Sequence, residues 1–205
     1  MKNAVLVIDY IRGIAEGKGS CAQYLREHPE VIDNTNNIIK SAREHGDMVV
    51  HIRLAFDKDH RGLPEHAPAA GKMKANQKFL KGSAEVEFLD EIDRADSDMV
   101  VDKTYGSVFH GNDLVDQLKK QGVEHVIFTG VATNNAVLYG ANDAVRAGFA
   151  VTVVTDACGA STQAAHEMAL GLIKAHSAQC LPATEVISQL SEVAGHDLSA
   201  KFVPS

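Results

Sequence analysis

Two charged residues follow apolar runs at places where the chain would leave a β-strand. Asp9 comes directly after the run 4–8, and a partly buried carboxylate there can act as a general base. Lys103 comes at the end of the third apolar run, in VVDKTYGSVF, where an ammonium group can keep an aspartate ionised and stabilise developing negative charge. Taken singly, Asp9 also suits a turn cap and Lys103 a solvated surface charge. A third segment favours the chemical roles.

That segment, 128–140 (FTGVATNNAVLYG), has the pattern of a strand, a glycine, a tight turn and a helix that begins near Thr133 or Asn134. The first N–H groups of a helix have no partner within it, and they lie at the positive end of the helix dipole. They can therefore bind an oxyanion, and a nucleophile in the first turn would have a lowered pKa. The residue at that place is Ala136, which carries no nucleophilic atom.

Apolar runs and amphipathic stretches alternate along the chain, and this alternation predicts the fold that positions these residues. Five runs, all but the fourth nearly continuous in apolar or β-branched residues, predict strands at 4–8, 48–52, 99–101, 123–129 and 150–155. Apolar residues at helical spacing predict helices at 31–42, 114–118, 141–147, 166–176 and 183–190. We therefore expect an α/β fold with three α-β-α layers. Its central, mostly parallel sheet would have five to six strands with helices on both faces.

Ligands of such sheets bind beyond the carboxyl ends of the strands, which is where Asp9, Lys103 and the segment 128–140 fall. One long stretch, 56–83, is rich in Gly, Pro, His and Lys and shows no sustained period. A loop of this length is usually functional, as a lid or one wall of a site. A surface excursion or a dimer contact is the alternative, and the sequence leaves both open.

Length and charge narrow the function classes. The 205 residues predict one domain over 1–205, and a net charge of −7 argues against a general nucleic-acid binder. No apolar run approaches the roughly 20 residues that cross a bilayer, and Asp9 comes too early for a signal peptide. The three cysteines, Cys21, Cys158 and Cys180, form no CxxC pair and so predict neither a disulfide framework nor a zinc knuckle. We expect a cytoplasmic enzyme of a small-molecule substrate, with no nucleic-acid or membrane partner.

Four motifs together resemble the isochorismatase-like cysteine hydrolases, and in particular their amidohydrolase branch. Each motif alone is weak, but the set is specific, and the resemblance runs from Val5 to about Leu190. The motifs are LVIDY at 6–10, KTYGSVFHGNDL at 103–114, GVATNNAV at 130–137, and VTDACGAS at 154–161 with His166 following.

The resemblance implies a chemistry and the residues for it. In the family a cysteine thiolate attacks an amide-type carbonyl, an aspartate takes the thiol proton and a lysine supports both. Here this Asp-Lys-Cys triad falls on Asp9, Lys103 and Ala136. The family builds its oxyanion hole at a cis peptide bond, which in this chain would join Val131 and Ala132. Acyl-enzyme chemistry cannot proceed on an alanine, and none of the three cysteines replaces it by sequence position.

Three explanations of Ala136 stay open. The first is an engineered cysteine-to-alanine change that traps the substrate of a hydrolase of small amide, carbamoyl or ureido compounds; the amidase-like TNN-x-V around the position favours it. The second is catalysis without cysteine. True isochorismatases hydrolyse a vinyl ether in this way, with the aspartate as acid and a glycine at the cysteine position, but this chain lacks their VYAHIG-like motif. The third is a natural pseudoenzyme that binds a ligand or a partner.

The strand ends also predict the substrate contacts. We expect six side chains to contact the substrate: Tyr10, Arg53, Phe56, Tyr105, Phe109 and Asn135. Arg53 would bind a carboxylate, although a surface ion pair explains it equally well. A small amide or ureido compound, neutral or anionic, fits the acid–base set, and nothing in the chain fixes which one.

We expect no catalytic metal and no cofactor. The nicotinamidase branch of the family binds its metal through an Asp-x-His motif after the second strand, and the matching stretch 51–60 (HIRLAFDKDH) has no such motif in the right place. The family usually forms homo-oligomers, so we expect a dimer or tetramer. The small residues of 140–147 would suit an interface or simply a helix packed on the sheet.

Overall fold

A six-stranded parallel sheet forms the centre of the computed structural model, which describes residues 2–199. The strands are β1 (Asn3–Ile8), β2 (Met48–Leu54), β3 (Met99–Lys103), β4 (His125–Val131), β5 (Ala150–Gly159) and β6 (Gln179–Leu181). Their order is β3-β2-β1-β4-β5-β6, and every neighbouring pair is parallel. The predicted α/β fold is confirmed. The sequence pattern missed β6, because three residues are too few to show a period.

Helices connect the strands and cover the sheet. They are α1 (Arg12–Ala15), α2 (Ala22–Glu27), α3 (Glu30–Glu44), α4 (Ala70–Ala75), α5 (Leu114–Lys120), α6 (Leu138–Arg146), α7 (Gln163–His176) and α8 (Ala183–Ser199). All five predicted helices are present, and the missed ones (α1, α2 and α4) span only four to six residues. No helix in the described part of the chain is long and apolar enough to cross a membrane.

The alternation of side chains along β1 divides the core into two layers. Leu6 and Ile8 point into a cluster with α5, α6 and α7, whereas Val5 and Val7 point into a cluster with α3 and α8. Helices therefore cover both faces, as the sequence predicted. The small residues of α6 pack inward: a Cβ at Gly140 would lie 2.8 Å from the Phe128 ring. Their role is packing against the sheet.

The strand register brings the chemically interesting ends to one edge of the sheet. Ile8, the last residue of β1, pairs with Ile52 of β2 and with Gly130 of β4. On the other side of β2, Leu54 pairs with Lys103, the last residue of β3. Asp9 therefore leaves the sheet between the ends of β2 and β4.

The irregular segment 56–83 contains α4 and has an apolar cluster of its own. Phe56, Leu63 and Phe79 pack together there, and the N–H of Phe56 donates to the carbonyl oxygen of Phe79 at 2.8 Å. The segment also contacts the end of β3, since a Cβ at Gly62 would lie 2.6 Å from Thr104 Oγ1. A wall or lid of the predicted site would lie here, next to the end of β3. A surface excursion or a dimer contact stays the alternative prediction for the segment.

A buried carboxylate fixes the start of β3. Asp98 accepts hydrogen bonds from Arg43 (Nη2 to Oδ2, 2.5 Å) and from the N–H of Ala95 (2.9 Å), and it lies 3.1 Å from His51 Nε2. Burial alone would raise the pKa of Asp98, but the hydrogen bonds outweigh burial and hold this pKa below its usual value. The interaction ties α3 and β2 to the residue that precedes β3.

We expect Asp98→Ala to lower the free energy of unfolding by about 3 kcal/mol, because it leaves the buried His51 without its acceptor and takes from Arg43 one of its two carboxylate partners. Since the folded-state pKa of Asp98 is lowered, its contribution is present at neutral pH and is lost as the pH falls through that pKa. Urea unfolding at pH 7 and pH 3 measures both effects. Asp90→Ala is the control: the exposed Asp90 also pairs with an arginine, Arg12, and its removal should change little. Equal losses for the two variants would contradict the prediction.

Candidate active site

The carboxylate of Asp9 is held from several sides at the edge of the sheet. Asp9 has a φ of 54°, a left-handed conformation that is uncommon outside glycine, and its N–H donates to the carbonyl oxygen of Ile52 at 2.8 Å. Its Oδ1 accepts from the N–H of Leu54 at 2.8 Å, and its Oδ2 lies 3.0 Å from Lys103 Nζ. Both carboxylate oxygens are therefore positioned, one by β2 and one by β3.

Lys103 is as deeply buried as its partner, with 2% of its surface exposed against 3% for Asp9. Besides Asp9, its ammonium group donates to the carbonyl oxygens of Tyr105 (3.2 Å) and Gly106 (3.3 Å). Three acceptors match the three protons of an ammonium group, which allows the charge to persist inside the protein. The structure thus brings the two predicted catalytic side chains together.

Burial raises the pKa of Asp9 above its usual range, although Lys103 and the N–H of Leu54 act in the opposite direction. A carboxylate with a raised pKa is a stronger base than an exposed one, and its acid form persists to a higher pH. Asp9 can therefore accept a proton from a neighbouring group and return it.

β4 approaches β1 closely beside Asp9, and a glycine makes this possible. Gly130 has a φ of 110°, and a Cβ on it would lie 2.2 Å from the carbonyl oxygen of Ile8. The next peptide bond, between Val131 and Ala132, is cis. Val131 and Ala132, the two residues predicted to form the oxyanion hole, thus come directly after the contact between Gly130 and Ile8.

Ala136 lies in a π-helical turn, Thr133–Val137, that continues into α6. The carbonyl oxygen of Ala132 accepts from the N–H groups of Asn135 (3.0 Å) and Val137 (3.3 Å), which closes the start of the turn. Ala136 itself is buried against the core beneath α6. The predicted helix start is thus a wider turn, and the nucleophile position falls within it.

The turn and the lysine loop are in contact. A Cβ at Gly106 would lie 3.1 Å from Asn135 Oδ1 and 3.1 Å from the Tyr139 ring. The loop whose carbonyl groups hold Lys103 therefore rests on the turn that carries Ala136. Asp9, Lys103 and Ala136 accordingly belong to one edge of the sheet.

Three of the six predicted substrate contacts lie at this surface. Tyr105 is exposed and packs edge-on against the His110 ring, with the ring centroids 5.9 Å apart. Asn135 is exposed next to Gly106, and Phe109 is partly buried at the margin of the core. Their positions are compatible with contact to a ligand.

The other three are engaged within the protein, and this corrects their expected placement. Tyr10 is fully buried under α3, and its hydroxyl is 2.9 Å from Thr35 Oγ1, because the chain turns at Asp9 and sends the next side chain to the opposite face. Phe56 is buried in the cluster of the segment 56–83. Arg53 donates to Asp102 Oδ1 at 2.7 Å, the ion pair that the sequence left open as the alternative.

Sequence reasoning gave no role to one buried polar pair at the site. Thr133, the first residue of the turn, has its hydroxyl 2.8 Å from Nδ1 of His166 in α7, and both side chains are buried. The sequence marks His166 only as a residue that follows a motif. A partnership across 33 positions of sequence leaves no local signal.

The three cysteines do not offer a nucleophile in place of Ala136. Cys158 is fully buried, with its Sγ 3.6 Å from the carbonyl oxygen of Phe128. Burial raises the pKa of Cys158 and raises the pKa of Cys21 to about 11, so both thiols stay protonated at neutral pH. Burial also raises the pKa of Cys180. Among residues 2–192, whose side chains the structure describes, no three His, Cys, Asp or Glu side chains come together in a way that could hold a metal ion.

Replacing Lys103 with methionine should lower the free energy of unfolding by about 3–5 kcal/mol at pH 8, because it leaves a buried carboxylate without its cation. The pKa of Asp9 would rise further above its unfolded value, so the deficit grows as the pH increases. Chemical unfolding at pH 5 and pH 8 measures this trend. The double variant Asp9→Asn/Lys103→Met should recover part of the loss at pH 8. A deficit that does not change with pH would show that Asp9 and Lys103 are not coupled.

Comparison with known proteins identifies the family to which this chain belongs. The family model of the isochorismatase domain matches residues 3–185. The chain is 28% identical over 177 residues to the uncharacterized isochorismatase family protein YwoC of Bacillus subtilis (84% of this chain, 85% of that one). It is 27% identical over 168 residues to a probable inactive nicotinamidase of Arabidopsis thaliana (80% and 83%). The crystal structure of N-carbamoylsarcosine amidase from Thermoplasma acidophilum has the same fold, with a TM-score of 0.71, 22% identity and coverage of 89% and 97%. The chain therefore belongs to the isochorismatase family of hydrolases.

Proposed function

We propose that the edge formed by Asp9, Lys103 and the turn Thr133–Val137 is an amidohydrolase site whose nucleophile position is residue 136. In its present form the chain binds a small amide, carbamoyl or ureido compound and does not hydrolyse it, because Ala136 has no nucleophilic atom. The observation that carries the proposal is the buried pair of Asp9 and Lys103 at 3.0 Å, placed where the turn begins.

The roles of the residues follow from their contacts. With a cysteine at position 136, Asp9 would take the thiol proton and the thiolate would attack the carbonyl carbon of the substrate. The N–H groups of the turn that do not donate to Ala132 would stabilise the oxyanion, and Lys103 would keep Asp9 ionised at the outset. Asp9 would then return the proton to the leaving nitrogen, and water would hydrolyse the thioester. Two proteins similar to this chain are named as an amidase and a probable inactive nicotinamidase, and these names support the C–N class of substrate.

The variant Ala136→Cys should gain hydrolase activity toward at least one compound of a panel containing nicotinamide, N-carbamoylsarcosine and a ureido acid. Activity is measured as release of ammonia, and the thioester on the introduced cysteine as a mass increase of the protein. The matched control is Asp9→Asn/Ala136→Cys, which keeps the thiol, removes the base and should lose at least about 100-fold of the gained rate. If the single variant hydrolyses no compound of the panel and forms no adduct, the amidohydrolase proposal is wrong.

Hydrolysis without a cysteine is the second candidate, favoured by the raised pKa of Asp9. A protonated Asp9 could donate its proton to the terminal carbon of a vinyl ether. Water would add to the resulting cation and give its extra proton to the Asp9 carboxylate. The hemiketal would then break its bond to the ether oxygen, which releases pyruvate and an alcohol. The unmodified chain should in that case hydrolyse isochorismate, and Asp9→Asn should abolish the activity. Measurement of pyruvate release decides between the two candidates, because only this one predicts turnover with Ala136 in place.

The expected homo-oligomer remains a proposal. Large apolar side chains are exposed on α6 and α7, namely Tyr139, Val145, Met168 and Leu172, and these support an interface on that side. Light scattering coupled to size-exclusion chromatography should give a mass of two or four chains. A single-chain mass at micromolar concentration would contradict it.

A further inference from the structure

The hydrogen bond between Thr133 and His166 joins the turn at the site to a helix that the proposed mechanism does not use. Thr133 begins the turn Thr133–Val137, and its side chain is completely buried. His166 lies in the first turns of α7, also buried, with Nδ1 at 2.8 Å from the threonine hydroxyl. Both groups are removed from water, so each depends on the other for its hydrogen bond.

The bond connects the same two atoms whichever of them donates, because a threonine hydroxyl can donate to Nδ1 or accept from it. Burial lowers the pKa of His166, so the imidazole is neutral at pH 7 and has one N–H. The turn is thus tied through one side chain to α7.

The imidazole is itself held in place. Its ring packs against Tyr24 of α2, with the centroids 5.7 Å apart. The Tyr24 hydroxyl donates to Gln163, the first residue of α7, at 3.1 Å. A Cβ at Gly159 would lie 2.8 Å from the Tyr24 ring, so the end of β5 also presses on this ring. The imidazole of His166 is therefore held in place by its neighbours, and a hydrogen bond to it can hold the turn.

We propose that His166 is a positioning residue of the site, acting through the Thr133 hydroxyl to hold residue 136 and the N–H groups of the turn in register with Asp9 and Lys103. The inference rests on the proposed function, because it concerns the reactivity of a nucleophile at position 136. It assigns to His166 a task that needs no contact with the substrate. A tie at Thr133 holds the start of a turn whose fourth residue is the nucleophile position.

The test uses the full chain with Ala136→Cys and needs no substrate. The rate at which iodoacetamide carbamidomethylates the thiol at position 136 is followed from pH 5 to 10 by mass spectrometry of its peptide. This gives the apparent pKa of that thiol free of the other cysteines. Two variants remove the bond and keep the shape, His166→Phe and Thr133→Val. Each should raise the apparent thiol pKa by about one unit, which lowers the rate about tenfold at pH values below both pKa values.

Matched variants separate positioning from general damage to the fold. His166→Asn keeps a hydrogen-bonding amide near the place of Nδ1, and Thr133→Ser keeps the hydroxyl, so both should retain most of the reactivity. Because one bond is removed in either case, combining His166→Phe with Thr133→Val should lower the rate no further than one of them alone. Lys174→Ala, an exposed change on the same helix, should leave the rate unchanged. Melting temperatures report any loss of stability independently.

The outcomes distinguish the two proposals. The thiol pKa in Ala136→Cys can be below its ordinary value and yet not rise in His166→Phe or Thr133→Val. This result would refute the positioning role and leave the proposed function standing. The positioning role is also wrong if His166→Asn and His166→Phe lower the rate equally, since the effect would then not follow the hydrogen bond. An ordinary thiol pKa at position 136 with His166 and Thr133 both present would overturn the proposed function and the positioning role together.

Discussion

The buried ion pair between Asp9 and Lys103 constrains the whole carboxyl edge of the sheet. Two charges with 3% and 2% of their surface exposed need several compensating contacts, and these come from β2 (the N–H of Leu54) and from the loop after β3 (the carbonyls of Tyr105 and Gly106). A change in the spacing of these strand ends would leave a charge uncompensated. The parallel register of β1, β2 and β3 is thus coupled to the electrostatics of the site.

The close packing of β4 on β1 extends this constraint to the turn. Gly130 lets the two backbones approach beside Ile8, and the chain then passes through Val131 and Ala132 into the π-helical turn. Since Asn135 rests against Gly106, the turn and the lysine loop support each other. The ion pair, the glycine contact and the turn act as one unit, because each is in contact with the next.

The features of the fold and site that the sequence predicted are those with a local pattern. Asp9 and Lys103 were identifiable because each follows an apolar strand, and the strands of a parallel sheet end at one edge. Tyr10 was placed on the wrong side because a left-handed residue before it redirects the chain, and a one-residue change of direction reverses the face. The bond from Thr133 to His166 left no trace in the sequence, since it depends on how α7 packs against the turn.

The ion pair between Asp9 and Lys103 also bears on the function of a chain that has alanine at position 136. A buried pair of charges gives little stability beyond what well-packed apolar residues of the same volume would give, so a purely structural role does not account for it. A hydrolase site accounts for it better, because a base and a cation at a strand edge are needed there whether the chain turns a substrate over or only binds it. The proposal extends to the surroundings of residue 136, where the π-helical turn is tied to α7 through Thr133 and His166. Under the proposed function, what separates a binding protein from an enzyme in this chain is therefore one side-chain atom, a sulfur at position 136.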